Sequence, residues 1–97
     1  MTNEEIWNFG LEERTDELSK LQSEYDRLDV ECRKAEFEKD MYARLRDVNN
    51  AMLYKQKFSE KYEKCARASE KLTKQKNALE NEICVLKKEI YYINSLM

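Results

Sequence analysis

Residues 58–97 read FSEKYEKCARASEKLTKQKNALENEICVLKKEIYYINSLM and carry the most regular pattern in the chain. Apolar and small residues recur there at alternating spacings of four and three, which predicts a coiled coil rather than one helix of a globular core. Ser69 and Lys76 are the polar exceptions, and we expect them to fix the register. The full seam is Phe58, Tyr62, Cys65, Ser69, Leu72, Lys76, Leu79, Ile83, Leu86, Ile90, Ile93 and Met97.

The composition of the whole chain fits a helical rod. Charged residues make up 39 % of the 97 residues, with one glycine and no proline, so residues that form turns are scarce. The predicted fold is all-α, with a single long helix that forms a coiled coil. Isoleucine at position a with leucine at position d favours a parallel dimer, and higher assembly stays open. The rod is predicted over residues 11–97, preceded by a short lead-in at 1–10.

Two further seams precede residue 58. The first is Trp7, Leu11, Arg14, Leu18, Leu21, Tyr25, Leu28, Cys32 and Ala35, and the second is Met41, Leu45, Val48 and Met52. The heptad phase shifts near 35–41 and 52–58, which changes the supercoil locally without ending a helix. The residues predicted to form the oligomer seam are Leu18, Leu21, Tyr25, Leu28, Leu72, Leu79, Ile83, Leu86, Ile90 and Ile93.

The pair Asn49-Asn50 is the best candidate for a bend, because asparagine tolerates turns. A bend there would fold residues 11–48 against 51–95 as a helical hairpin. The spacing of Leu45, Val48 and Met52 passes straight through the pair without glycine or proline, which favours the continuous helix. The hairpin remains as the alternative.

The residue types that carry chemistry are sparse. The chain has no histidine, and Cys32, Cys65 and Cys84 lie far apart, so no zinc-binding spacing occurs. Carboxylates and lysines on an exposed rod lack a pocket that would shift their pKa values for catalysis. We therefore expect no enzyme activity and no cofactor. No run of residues is apolar enough to cross a membrane, so we also expect no membrane span. The thiols are expected to stay reduced, in the cytosol or nucleus.

Charge is distributed unevenly along the chain. Residues 1–32 carry a net charge of −7 and the remaining 65 residues carry +5. In a parallel dimer in register, Glu24 would oppose Asp29 and Glu31 would oppose Glu36, and both contacts are repulsive. The acidic half is therefore expected to pair with a basic segment of a staggered or antiparallel copy, or of a different chain. A staggered contact that does not close would produce filaments.

Basic residues concentrate between positions 55 and 76. They suit an acidic polymer such as a tubulin surface, whereas nucleic acid is disfavoured by the sequence pI of about 5.3 and by the spread of the bases around the helix. The candidate contacts to an acidic polymer are Lys55, Lys57, Lys61, Lys64, Arg67, Lys71 and Lys74. Near the first residues, Trp7 and Phe9 are the candidates for an end-to-end docking contact.

Three segments resemble the Sjögren syndrome nuclear autoantigen family of small centrosomal, microtubule-associated coiled-coil proteins. They are Leu45-Arg46-Asp47-Val48-Asn49, Glu60-Lys61-Tyr62-Glu63-Lys64 and Val85-Leu86-Lys87-Lys88-Glu89. The resemblance covers about half of the chain. It implies fibril formation, binding along microtubules and location at centrosomes, centrioles or basal bodies in the cytoplasm.

The expected function is therefore a non-enzymatic, self-associating coiled-coil scaffold of the cytoskeleton. The alternative is an adaptor or subunit that pairs with a different helical protein in a tethering, kinetochore or trafficking complex.

Overall fold

The computed structural model describes residues 1–96, and within this range it contains two α-helices and no strand. Helix α1 spans Asn3–Val48 and helix α2 spans Met52–Leu96. The all-α prediction is confirmed. The predicted seam residue Met97 lies outside the described residues.

The prediction of one continuous helix over residues 11–97 is wrong, because the chain leaves the helical conformation at residues 49–51. The break coincides with the pair Asn49-Asn50, whose side chains compete for backbone hydrogen bonds and so favour turns. None of the described residues has a positive φ, so the break needs no left-handed residue. The alternative of two helices, which the continuous seam disfavoured, is the one observed.

The start of α1 is set by local hydrogen bonds. The backbone N–H of Glu5 donates to the Thr2 hydroxyl at 3.2 Å, and the backbone N–H of Thr2 donates to the Glu5 carboxylate at 3.3 Å. This reciprocal pair is a capping box, which satisfies N–H groups that lack a partner in the first turn. The helix then runs through Gly10, so residues 3–10 of the predicted lead-in belong to α1.

The chain divides into two units. Unit 1 comprises Met1–Arg27 and Asn77–Met97, and unit 2 comprises Leu28–Lys76 with the break between the helices. In unit 1, Arg14 of α1 meets Glu89 of α2 at 3.1 Å. In unit 2, Asp29 of α1 meets Lys76 of α2 at 2.6 Å. Further along α1, Glu36 meets Ser69 in unit 2, and Leu21 shares a groove with Glu82 in unit 1, so the partner moves back along α2 as α1 advances. Each unit therefore contains an antiparallel pair of helical segments.

The interior of each unit is small. The buried side chains of unit 1 include Ile83, Leu86 and Ile93. Those of unit 2 are Leu28, Cys32, Ala35 and Ser69, most of which are small. Among the described residues no large side chain is completely buried, because two helices cannot surround a residue on all sides.

Candidate interaction surfaces

The predicted seam residues lie on the inner faces of the two helices. Leu28, Ile83, Leu86 and Ile93 are buried, and the others are half-buried, namely Leu18, Leu21, Tyr25, Leu72, Leu79 and Ile90. Within this chain they therefore face the other helix of the same unit. Whether they also join copies of the chain stays a prediction.

The two polar seam residues of α2 have matching partners on α1. The Lys76 ammonium donates to Asp29 at 2.6 Å, and the Ser69 hydroxyl donates to the Glu36 carboxylate. The hydrogen bond from Lys76, with the positive charge of nearby Arg33, holds the pKa of Asp29 below its usual range. The Ser69 hydroxyl and the adjacent Lys39 lower the pKa of Glu36 in the same way. These bonds fix the register of unit 2, because a slip of either helix would separate the partners.

Aromatic and cationic side chains pack beside the break between the helices. The rings of Tyr42 and Phe58 stack with their centroids 6.3 Å apart. The Arg46 guanidinium lies 5.0 Å from the centroid of Tyr62, and the Lys61 ammonium lies 5.4 Å from that of Tyr42. Cation–π attraction and ring stacking therefore join α1 to α2 near the turn.

The predicted basic contacts lie on the surface of unit 2. All seven are exposed, namely Lys55, Lys57, Lys61, Lys64, Arg67, Lys71 and Lys74. Lys74 also pairs with Glu70 at 3.5 Å. Lys76 continues the run in sequence but is half-buried against Asp29, so it belongs to the interior of the unit. The surface thus keeps seven of the eight bases between positions 55 and 76.

The second short seam, from Met41 to Met52, does not form an inner face. Met41 and Leu45 are half-buried, whereas Val48 and Met52 are 75 % and 81 % exposed. Met41 and Leu45 instead extend a stripe on the outside of α1, and Met52 belongs to α2.

That outer stripe holds an exposed aromatic side chain. Val30, Phe37 and Met41 follow one another at spacings of seven and four, and Phe37 is 68 % exposed. Together with Arg33 and Lys34 they border a shallow groove, and we name these five residues the Phe37 ridge. The heptad spacing of Val30 and Phe37 could have revealed this stripe, which the sequence analysis missed.

A second groove lies between the two helices of unit 1. We name it the acidic groove, and it is lined by Glu17 and Leu21 of α1 and by Glu82, Val85 and Glu89 of α2. Val85 is 56 % exposed. The carboxylate of Glu89 also pairs with Arg14 at 3.1 Å. Apolar side chains thus line the groove, and three carboxylates surround them.

The predicted docking residues near the start of the chain are accessible. Trp7 is 39 % exposed and Phe9 is 60 % exposed, both on the first turns of α1 in unit 1. Their exposure is compatible with a docking contact, which stays a prediction.

Searches of the described residues found neither a group of three side chains suited to hold a metal ion nor a helix apolar enough to span a bilayer. Comparisons of the chain with protein-family models, curated proteins and solved structures found no significant match.

Proposed function

We propose that this chain is a non-enzymatic, self-associating helical scaffold. The observation that supports this most is the exposure of large apolar side chains on both units. Phe37 of unit 2 is 68 % exposed, and Val85 of unit 1 is 56 % exposed. Association with other helices would remove such side chains from water.

The charges of the two units support association between copies. Unit 1 holds eleven acidic and five basic residues, a net charge of −6. Unit 2 holds nine acidic and thirteen basic residues, a net charge of +4. Opposite charges on two parts of one chain attract the unlike parts of different copies and repel the like parts.

The proposed setting is the cytoskeleton. The seven exposed bases of unit 2 would contact an acidic polymer. The resemblance to the centrosomal family implies that this polymer is a microtubule. Reversing Lys57, Lys61 and Lys64 to glutamate should weaken co-pelleting with microtubules, while reversing Lys20, Lys87 and Lys88 should have a smaller effect. Equal co-pelleting of both triple variants would contradict this role of the basic surface.

Sedimentation velocity of the reduced protein over a wide range of concentration and salt tests self-association. We expect species that grow with concentration and dissociate in high salt, because screening weakens contacts between opposite charges. A monomer under every condition would contradict the scaffold.

A second candidate is an adaptor that binds a different helical protein. The Phe37 ridge favours it, because an exposed aromatic residue within an apolar helical stripe suits the groove of another helix. A persistent monomer in sedimentation would favour this candidate over the scaffold.

A further inference from the structure

The two surfaces outside the inner seams complement each other in chemistry. The Phe37 ridge carries a ring that is 68 % exposed on a single helix, whereas the acidic groove lies between two helices. A ring that projects from one helix can fill a cleft between two others, which is the basic arrangement of helix packing.

The charges at their rims are opposite in sign. Arg33 and Lys34 lie beside Phe37 on the ridge, with Glu38 as the one acidic residue bordering the same groove. The acidic groove carries Glu17, Glu82 and Glu89. Some of these charges have partners within the chain: Arg33 pairs with Asp29 at 3.0 Å and Glu89 pairs with Arg14 at 3.1 Å. The residues that border the Phe37 ridge thus carry a net charge of +1 and those that line the acidic groove carry −3. Counting the partners Asp29 and Arg14 changes these net charges to 0 and −2, and Lys34 is then the ridge cation that faces no partner among these named residues.

We propose that the Phe37 ridge of one copy docks into the acidic groove of a second copy. Phe37 would pack against Leu21 and Val85, and Lys34 would lie beside Glu82. This inference rests on the proposed self-association and names the surfaces that carry it. The charge of the units favours a second copy as the occupant, because a net charge of −6 on unit 1 would attract the net charge of +4 on unit 2.

This contact joins two different surfaces, so it is heterologous. Each copy in a pair can keep one ridge and one groove available for a further copy. Such contacts extend into filaments unless the geometry closes them into a ring or a symmetric pair. The proposal therefore connects the two grooves to the scaffold role.

The charge at the contact can be tested by reversing one charge on each surface in two separate variants and then mixing the variants. Lys34→Glu places a carboxylate opposite Glu82, and Glu82→Lys places an ammonium opposite Lys34. Each variant alone should associate roughly tenfold more weakly than the native chain, since like charges oppose each other. An equimolar mixture should recover association, because the altered ridge of one copy then meets the altered groove of the other.

The apolar part of the contact can be tested with Phe37→Ser and a matched control. Phe37 is 68 % exposed, so its replacement should leave the helix content by circular dichroism unchanged. Tyr91→Ser removes a side chain that is 77 % exposed in unit 1 and does not line the acidic groove. We expect Phe37→Ser to weaken association in sedimentation velocity and Tyr91→Ser to leave it intact.

The outcomes separate the two proposals. If the native chain associates and the single charge variants associate equally well, this contact is overturned and the scaffold stands. The same holds if the mixture of the two variants associates no better than each variant alone. Equal behaviour of Phe37→Ser and Tyr91→Ser would also overturn it. A native chain that stays monomeric would overturn both proposals.

Discussion

The two units contain the same pair of helices but hold them together by different interactions. Unit 1 buries large aliphatic side chains, among them Ile83, Leu86 and Ile93. Unit 2 buries mostly small residues and joins its helices through polar bonds such as Asp29–Lys76 and through stacked rings near the turn. Hydrophobic burial is strong but not directional, whereas hydrogen bonds and ion pairs specify partners. Unit 1 therefore contributes the larger apolar stabilisation, and unit 2 defines the register.

We expect the largest difference between the units in the free energy of unfolding when a buried side chain of each unit is shortened to alanine. Ile83→Ala in unit 1 should lower the free energy of unfolding by about 3 kcal/mol, because a buried aliphatic side chain leaves a cavity. Cys32→Ala in unit 2 removes only one sulfur atom and should cost about 1 kcal/mol. Urea unfolding followed by circular dichroism measures both. Tyr91→Ala, at an exposed position of unit 1 outside the acidic groove, is the control and should change little. A smaller loss for Ile83→Ala than for Cys32→Ala would reverse the comparison.

The next largest difference is expected in how the stability of each unit responds to acid. The lowered pKa values of Asp29 and Glu36 mean that folded unit 2 binds fewer protons than the unfolded chain in acid. Their stabilisation is complete above their usual pKa values of 3.8 and 4.5 and is lost as the pH falls through the lower folded values. Urea unfolding at steps from neutral pH down to about pH 3 should show a constant stability that begins to decrease as the pH approaches 4.5 and 3.8.

The variant Asp29→Asn with Glu36→Gln should flatten that decrease. A matched variant in unit 1, Asp16→Asn with Glu13→Gln, should keep it, because both of these side chains are exposed on the surface of α1. If both double variants respond to acid as the native chain does, the polar bonds of unit 2 do not link its stability to pH.

The smallest expected difference between the units is in the rate at which their cysteine thiols react. Cys84 is exposed in unit 1, Cys32 is buried in unit 2, and Cys65 is half-buried beside Glu38. Burial, with the nearby Glu38 carboxylate, raises the pKa of Cys65 and so reduces its thiolate fraction. In variants that keep a single cysteine, a thiol reagent should modify Cys84 fastest and Cys32 slowest. Faster reaction of Cys65 than of Cys84 would contradict the described packing of unit 2.

The inner faces could be predicted from the sequence, because they rest on local periodicity. Residues three and four positions apart lie on one side of a helix whatever their partner is. The seam from Phe58 to Ile93 is accordingly buried or half-buried throughout. The capping box at Thr2 could be recognised for the same reason, since its hydrogen bonds span three residues.

The candidate grooves could be predicted only in part. The spacing of Val30 and Phe37 marks a second stripe on α1 from sequence alone. The acidic groove brings Glu17 of α1 beside Glu82 of α2, two residues far apart in the chain. No local pattern relates them, because their proximity depends on the pairing of the helices. The seven exposed bases were recognised from composition, while the partner of Lys76 required the fold.

The sequence did not decide whether each seam packs against the other helix of the same chain or against a second copy. Within unit 2, the residue numbers of Asp29 and Lys76 add to 105, and so do those of Glu36 and Ser69. The two seam segments of this unit therefore mirror each other about residues 52 and 53. The spacing of Leu45, Val48 and Met52 favoured pairing with a second copy, although both arrangements place the seam residues against an apolar helix. The amino-acid order specifies helices, their inner faces and the uneven charge. The break at residues 49–51 selects antiparallel pairing within each unit, because it allows the chain to return along itself.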